Sequence, residues 1–135
     1  MRYLFEVPGT LPTLNQYVDA ERSNRFYAAK VKRQAQAEVR AAVGSGAPCF
    51  EGAVDVWMLW VRPDMRSDKD NVAFAKKFVL DALQETGTIR KDSWRLCTPH
   101  DFGFTVNKAN PRTLVLVQDA WELPPIDPAE MGLGD

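Results

Sequence analysis

Three aspartates stand where their carboxylates could hold a metal ion. Asp68 and Asp70 are separated only by Lys69, and Asp92 follows further along the chain. Two carboxylates at this spacing can converge on one cation from an extended or irregular backbone. Mg²⁺ prefers hard oxygen ligands and usually takes only one or two protein carboxylates, which leaves coordination positions for phosphate and water. The pair therefore has the charge and the spacing for metal-dependent chemistry on a phosphate ester.

The same aspartates also have an ordinary structural explanation. Acidic residues favour the first turn of a helix, where a carboxylate caps backbone N–H groups or interacts with the helix dipole. Ser67 and Asp68 are good capping residues, and Asp70 would then lie in the positive first turn. Asp92 could be an ordinary loop acid. From the spacing alone, a helix cap and a metal site remain alternatives.

The predicted secondary structure places the pair between a strand and a helix. Residues 53–61 are apolar on both faces apart from Asp55, which is typical of a central strand covered on each side. Residues 71–85 carry an apolar stripe at helical spacing, and Gly87 is suited to end that helix. The aspartate pair would thus follow a buried strand and open an amphipathic helix.

The remaining elements complete a single domain. We predict a strand at 3–7, a loop at 11–18, a helix at 25–43, extended segments at 95–98 and 113–118, and a loop at 107–111. This order predicts an α/β fold of the α+β type, in which a small mixed sheet of about four strands packs with two main helices. The domain would span residues 1–120. The acidic, proline-rich tail at 121–135 is expected to be disordered.

A longer run around the pair resembles a known enzyme family. Residues 66–94, RSDKDNVAFAKKFVLDALQETGTIRKDSW, are similar to the signature of RusA-type Holliday junction resolvases, especially the prophage-associated branch. That family has an Asp-x-Asp-Asn motif, a helix that carries lysine and ends in Asp-Ala-Leu, then a glycine turn and a further Asp. Residues 12–17, PTLNQY, are more weakly similar to a Pro, Asn and Tyr loop of the family.

The resemblance implies an activity and a set of site residues. Asp68, Asp70 and Asp92 would bind Mg²⁺, with Mn²⁺ able to substitute, in an endonuclease that resolves four-way DNA junctions during recombination and repair. A metal-activated water would hydrolyse the phosphodiester bond. The family's helical lysine falls on Lys77 or, because the motif is longer here, on Lys76. The family is dimeric, and a two-fold homodimer matches a junction that must be cut on two strands.

Chain length bears on whether Asp92 can reach the pair. A helix over 71–85 carries the chain away by more than about 20 Å, at roughly 1.5 Å per residue. From Gly87 to Asp92 an extended chain covers less than about 20 Å, at roughly 3.3 Å per residue. Asp92 could complete its own subunit's site if the helix lies obliquely on the sheet, or it could contribute to the partner's site. We expect the first arrangement, because the resemblance places all three acids in one cluster.

The charge distribution is compatible with DNA binding. The formal net charge is −1, but residues 119–135 hold five acids and no Lys or Arg. Without them 17 basic residues face 13 acidic ones, for a net charge of +4. Basic clusters of this kind bind phosphates, although they are also typical of solvated helix faces. The DNA-binding candidates are Asn15, Arg25, Lys32, Arg33, Arg66 and Lys69.

Other features narrow the class of protein. Cys49 and Cys97 show no metal-type spacing with His100, the one histidine, and are expected to be reduced thiols. The first residues fit neither a signal peptide nor a membrane span, so a cytoplasmic protein without a membrane partner is expected. The four tryptophans could include an interface anchor or a base-stacking side chain, although core packing is the commoner role.

Two other functions remain open at this point. In a non-catalytic DNA-binding module the acids would be helix caps, and the basic helix at 25–43 would lie on phosphates. A metal-dependent nuclease for flaps or other branched DNA would share the whole site and differ only in its substrate. A divalent-metal titration separates the first of these from an enzyme, and a panel of branched substrates separates the second.

Overall fold

A mixed sheet of four strands forms the centre of the structure, a computed structural model that describes residues 1–134. The strands are β1 (Arg2–Pro8), β2 (Val54–Arg62), β3 (Cys97–Val106) and β4 (Arg112–Asp119), in the spatial order β1-β4-β2-β3. β2 runs parallel to β3 and antiparallel to β4, which is also antiparallel to β1. The predicted α+β fold with a small mixed sheet is therefore confirmed.

Helices cover one face of this sheet. They are α1 (Leu14–Ser23), α2 (Arg25–Val43), α3 (Lys69–Ala73) and α4 (Lys76–Glu85). Alternate side chains of β2, such as Met58 and Trp60, are buried in a core shared with Val39 of α2 and Phe78 of α4. Leu59 belongs to a smaller core on the opposite face. The two main helices predicted from the sequence, α2 and α4, thus pack against each other and the sheet.

Helix α1 replaces residues 14–18 of the loop that was predicted at 11–18. The Thr13 side chain accepts a hydrogen bond from the Gln16 backbone N–H, and the Gln16 side chain accepts one from the Thr13 backbone. This reciprocal capping box satisfies two backbone donors at the start of a helix. The loop prediction was wrong for these residues because the apolar periodicity of the segment is weak. The Thr-x-x-Gln capping pattern of residues 13–16, in contrast, is visible in the sequence.

The helix predicted at 71–85 is interrupted. At Ala75 the backbone N–H donates to the Val72 carbonyl, and Phe78 in turn donates to Ala75. These bonds span three residues rather than four, so the helix tightens locally before α4 begins at Lys76. The aspartate pair therefore lies at the start of a short separate helix, α3.

Strand β3 is much longer than the extended segment predicted at 95–98. Pro99 and Gly103 interrupt its alternating pattern, which hid the strand in the sequence. Pro99 is tolerated because β3 is an edge strand, where a missing backbone donor can face the open side. The register against β2 shifts between Met58 and Leu59, which makes Phe102 an extra, bulged residue.

The acidic tail is ordered in residues 121–134, so the prediction of disorder was wrong there; Asp135 lies outside the described residues. A 3₁₀-helix spans Pro128–Met131. Met131 is fully buried on the sheet face opposite the helices, beside Leu114 and Leu116. Leu133 packs against the same core, and the Gln118 side chain donates a hydrogen bond to the Leu123 carbonyl. These scattered contacts anchor the segment without a periodic pattern in its sequence. Within residues 1–134 no helix is both long and apolar enough to cross a bilayer.

Candidate metal and phosphate site

Asp68 and Asp70 lie where the chain leaves β2 and enters α3. Asp68 directly precedes the helix with extended backbone (φ −63°, ψ 154°), and Asp70 lies in its first turn. Both side chains are exposed. Within residues 1–134 the Asp68 carboxylate accepts no capping hydrogen bond, although the residue occupies the capping position. The capping explanation therefore fails for Asp68, and its carboxylate remains available to a ligand.

Both aspartates border an open cavity of about 800 Å³. It lies at the carboxyl end of β2, where Arg62 pairs with Val106 at the end of β3. The volume falls within the range of small-ligand sites, about 300–1,000 Å³. The lining residues are Arg62, Asp64, Met65, Ser67, Asp68, Lys69, Asp70, Val72, Phe104, Thr105 and Val106.

The cavity combines acidic and basic groups. Asp64, Asp68 and Asp70 contribute carboxylates, while Arg62 and Lys69 contribute cations. Partial burial lowers the pKa of Arg62, and the nearby negative charge of Asp64 opposes that shift. The Lys69 ammonium lies 5.7 Å from the centre of the Phe104 ring, a distance that allows cation–π attraction. The arrangement can hold a cation at the acids and an anion at the flanking bases.

Asp92 is not brought to this cavity. Its backbone N–H donates to the Gln84 side chain near the end of α4, at 2.9 Å. Asp92 also lies close enough to Cys97 to raise the pKa of that thiol, after the larger effect of burial. Cys97 pairs with Val54, the first residue of β2, whereas the cavity lies past the last one. The expectation that Asp92 completes its own subunit's site is therefore wrong.

The parallel pairing of β2 and β3 explains this separation. Because the strands run in the same direction, the chain must return to the amino end of β2 before β3 begins. α4 carries it there, and Asp92 lies in the connection at that end. β2 has nine residues, so its two ends are roughly 26 Å apart at about 3.3 Å per residue.

The structure distinguishes the two candidate lysines. The Lys76 ammonium lies 2.8 Å from a carboxylate oxygen of Asp101 on β3, and both side chains are partly buried. The Lys77 ammonium lies 3.9 Å from Asp81, one turn along the same helix, and its side chain is 54% exposed. Lys76 is thus directed toward the sheet, whereas Lys77 is a surface lysine of α4.

Among the DNA-binding candidates Lys69 lines the cavity, and Asn15 and Arg66 contact or adjoin the segment that forms it. The Asn15 backbone N–H donates to the side chain of Asn71 in α3, which ties the start of α1 to the helix that carries Asp70. Arg66 is 90% exposed in the loop before Asp68, and Lys69 lines the cavity. These three residues could contact DNA that enters the site.

The other candidates lie on α2. Arg25 begins that helix, and its guanidinium lies 5.2 Å from the ring of Phe26, which is itself 72% exposed. Lys32 is half-buried and Arg33 is exposed. Arg25 follows α1, whose ten residues extend roughly 15 Å from the cavity end at about 1.5 Å per residue. Any role of α2 would therefore be on flanking DNA.

Two acidic residues at or near the site were missed in the sequence. Asp64 lines the cavity, and it could have been found because it stands in the same polar loop as Asp68 and Asp70. Asp101 contacts Lys76, but only the observed register of β3 reveals this, since the residue falls outside the predicted strand.

The tryptophans divide between the core and the surface. Trp60 is buried, which agrees with the core-packing role expected for most tryptophans. Trp57 is partly buried and stacks on His100 with ring centres 3.9 Å apart. Trp94 is 98% exposed and Trp121 is 78% exposed. The two exposed side chains are available for contacts with another molecule.

Comparison with known proteins does not assign a family. No family model matches the chain, and no curated protein sequence is significantly similar to it. The resemblance of residues 66–94 to RusA-type resolvases therefore stays a prediction. The geometry of the cavity carries the functional argument.

Proposed function

We propose that this chain is a Mg²⁺-dependent endonuclease that cuts branched DNA, with the four-way junction as substrate and a homodimer as the working form. The observation that carries the proposal is that Asp68 and Asp70 share one open cavity with Arg62 and Lys69. Hydrolysis of a phosphodiester needs carboxylate oxygens for a divalent cation and basic side chains for the phosphate.

The donor set at the cavity fits a hard divalent cation. Asp68 and Asp70 offer carboxylate oxygens, and Mg²⁺ is commonly held by one or two carboxylates together with substrate phosphate and water. Mn²⁺ suits the same oxygen ligands. Asp64 is less available, because it accepts a 3.0 Å hydrogen bond from the backbone N–H of Arg66. When bound, the cation would lower the pKa of the attacking water and offset charge on the phosphate.

The chain's own basic residues would orient the DNA. Lys69 lies between the two aspartates in sequence and also lines the cavity, so its ammonium can bind a phosphate oxygen next to the acids. Arg62 lines the cavity from the end of β2, where a guanidinium can hold a phosphate with two hydrogen bonds. Exposed Arg66 would contact the backbone just outside the cavity.

A homodimer would supply the third carboxylate. In one subunit Asp92 lies at the opposite end of β2 from the pair, so it could serve a metal only at a partner's cavity. Trp94, two residues further, is 98% exposed, and exposed tryptophans are enriched in protein interfaces. A contact that buries Trp94 against the cavity end of a second copy would bring Asp92 close to Asp68 and Asp70.

A non-catalytic DNA-binding module is the second candidate. Within the described residues 1–134, no three His, Cys, Asp or Glu side chains are grouped closely enough to hold a metal ion. A single chain that binds phosphate without cutting it would show this arrangement. A nuclease specific for flaps or forks would instead use the same cavity and differ in the DNA shape that it accepts.

Cleavage of a substrate panel tests the proposal. The full chain is incubated with a four-way junction, a flap, a fork and linear duplex of matched sequence, in Mg²⁺, Mn²⁺ or EDTA. We expect the junction to be cut in either metal and to stay intact in EDTA. If the flap is cut faster than the junction, the assigned substrate is wrong, but the proposed metal-dependent hydrolysis is retained. Junction binding without cutting in any metal would favour the second candidate.

A further inference from the structure

Asp101 faces the helices because β3 contains a bulge. The register shifts by one residue between Met58 and Leu59, and Phe102 is the extra residue. Side chains alternate along a regular strand, so Asp101 and Phe104 would otherwise lie on opposite faces of the sheet. The bulge places both on the face that α4 covers. Bulges often redirect a side chain beside a functional site.

The Asp101 carboxylate is held by two donors. The Trp60 indole N–H donates to one oxygen at 3.0 Å, and the Lys76 ammonium donates to the other at 2.8 Å. Trp60 is only 2% exposed, so its indole is fixed by the surrounding core. The bond from Trp60 therefore fixes the orientation of the Asp101 carboxylate. The carboxylate oxygen that contacts Lys76 in turn restricts the position of the lysine ammonium.

This pair lies next to the candidate site. Phe104, which lines the cavity together with Asp68 and Asp70, is the next residue after Asp101 on that face of β3. Lys76 begins α4 directly after the break that separates it from α3. Through its contact with Asp101, Lys76 reaches the same face of β3 that carries Phe104, whereas Lys77 lies beside Asp81 on the surface of α4.

We propose that Asp101 is a positioning residue, which holds the Lys76 ammonium beside the Asp68–Asp70 cavity and makes Lys76, rather than Lys77, the lysine that contacts the phosphate. This inference rests on the proposed function. Lys76 binds a phosphate oxygen as an ammonium, and no proton is transferred.

Asp101 has opposite effects on binding and on cleavage in this arrangement. Its negative charge competes with DNA for Lys76, which weakens binding of the substrate. Its fixed orientation keeps the ammonium where charge develops during the reaction, which speeds cleavage. Asp101→Asn should therefore bind a junction at least as tightly as the wild type and cut it more slowly. A defect in folding would instead weaken both.

Single-turnover cleavage and metal-free binding, measured on one junction, test the assignment. We expect Lys76→Gln to slow cleavage about 100-fold, the size of effect that one lost transition-state donor has, and Asp101→Asn to slow it about 10-fold. The double variant should cut no more slowly than Lys76→Gln alone, because Asp101 acts through Lys76. Lys76→Arg, which keeps the charge, should restore part of the rate. Lys77→Gln should stay within about twofold of the wild type.

Glu85→Gln is the matched control, because it breaks the 2.7 Å ion pair of Arg40 and Glu85 at the far end of α4. It should leave the rate unchanged. The inference is overturned if Lys77→Gln is the slow variant, if the losses at Lys76 and Asp101 multiply, or if Asp101→Asn weakens binding and cleavage equally. Should Asp101→Asn fail to fold, the cleavage rates of the Lys76 and Lys77 variants still show which lysine contacts the phosphate. A wild type that cuts no branched DNA overturns the proposed function, and the inference with it.

Discussion

Asp70 and Asp92 lie at opposite ends of strand β2. Asp70 follows the carboxyl end of the strand, and Asp92 precedes Cys97, which pairs with the first residue of β2. The parallel strands β2 and β3 impose this separation, since the connection between them must cross the length of the sheet. Asp92 can act on the same metal as Asp68 and Asp70 only if a second subunit brings its Asp92 to the cavity.

Mixed dimers test this arrangement. When Asp70→Asn and Asp92→Asn subunits are refolded together, each heterodimer should contain one site with both aspartates intact, provided that sites are shared between subunits. We therefore expect cleavage to return on mixing, although each variant alone is inactive. Mixtures that stay inactive, while size-exclusion chromatography shows that heterodimers have formed, would mean that Asp92 does not serve the partner's site.

The anchoring of the tail by Met131 has a measurable effect on stability. Met131 is fully buried between the sheet and the 3₁₀-helix, so Met131→Ala should lower the free energy of unfolding by about 2 to 5 kcal/mol. Ile126→Ala in the same tail, where the side chain is 87% exposed, should stay within about 0.5 kcal/mol of the wild type. Denaturant unfolding measures both, and equal effects would argue against an ordered tail.

The two cysteines should differ in reactivity. Burial raises the pKa of the Cys97 thiol to about 12, and the nearby charges of Asp92 and Asp55 add to the shift. The thiolate is the reactive form, so Cys97 stays protonated and unreactive at pH 8. Cys49 is exposed. Iodoacetamide at pH 8 followed by peptide mass spectrometry should find Cys49 alkylated and Cys97 intact, with both labelled in denaturant. Rapid labelling of native Cys97 would contradict its placement.

The basic residues of α2 should contribute to the salt dependence of DNA binding. If Arg25, Lys32 and Arg33 lie on phosphates, the triple alanine variant should release fewer counterions, and the slope of log affinity against log salt should fall by about one per lost contact. Fluorescence anisotropy with a labelled junction gives the slope. An unchanged slope would make α2 an ordinary solvated helix.

Local patterns predicted much of the fold. Helix α2 has the predicted bounds, because its composition favours helix throughout and Gly44 ends it with φ 77°. The aspartate pair also lies where the sequence placed it, at the junction of a buried strand and a helix. Both results depend only on neighbouring residues, and a single sequence displays those directly.

Long-range pairing could not be predicted in the same way. The direction of β3 relative to β2 determines where Asp92 lies, and no local pattern encodes that direction. The bulge at Phe102 determines which face Asp101 occupies, yet a shift of one residue leaves the composition of the strand unchanged. Met131 reaches the second core through one side chain, without a repeat. These features arise from packing between distant segments.

The behaviour of Asp70→Asn on a four-way junction in Mg²⁺ tests the central claim most directly. The change removes one metal-binding charge and leaves the basic residues in place, so we predict that cleavage falls by about 100-fold or more while gel-shift affinity is equal or stronger. Glu130→Gln, which removes an exposed acid in the tail, should cut as the wild type does. Wild-type cleavage by Asp70→Asn would contradict the assignment of this cavity as the active site.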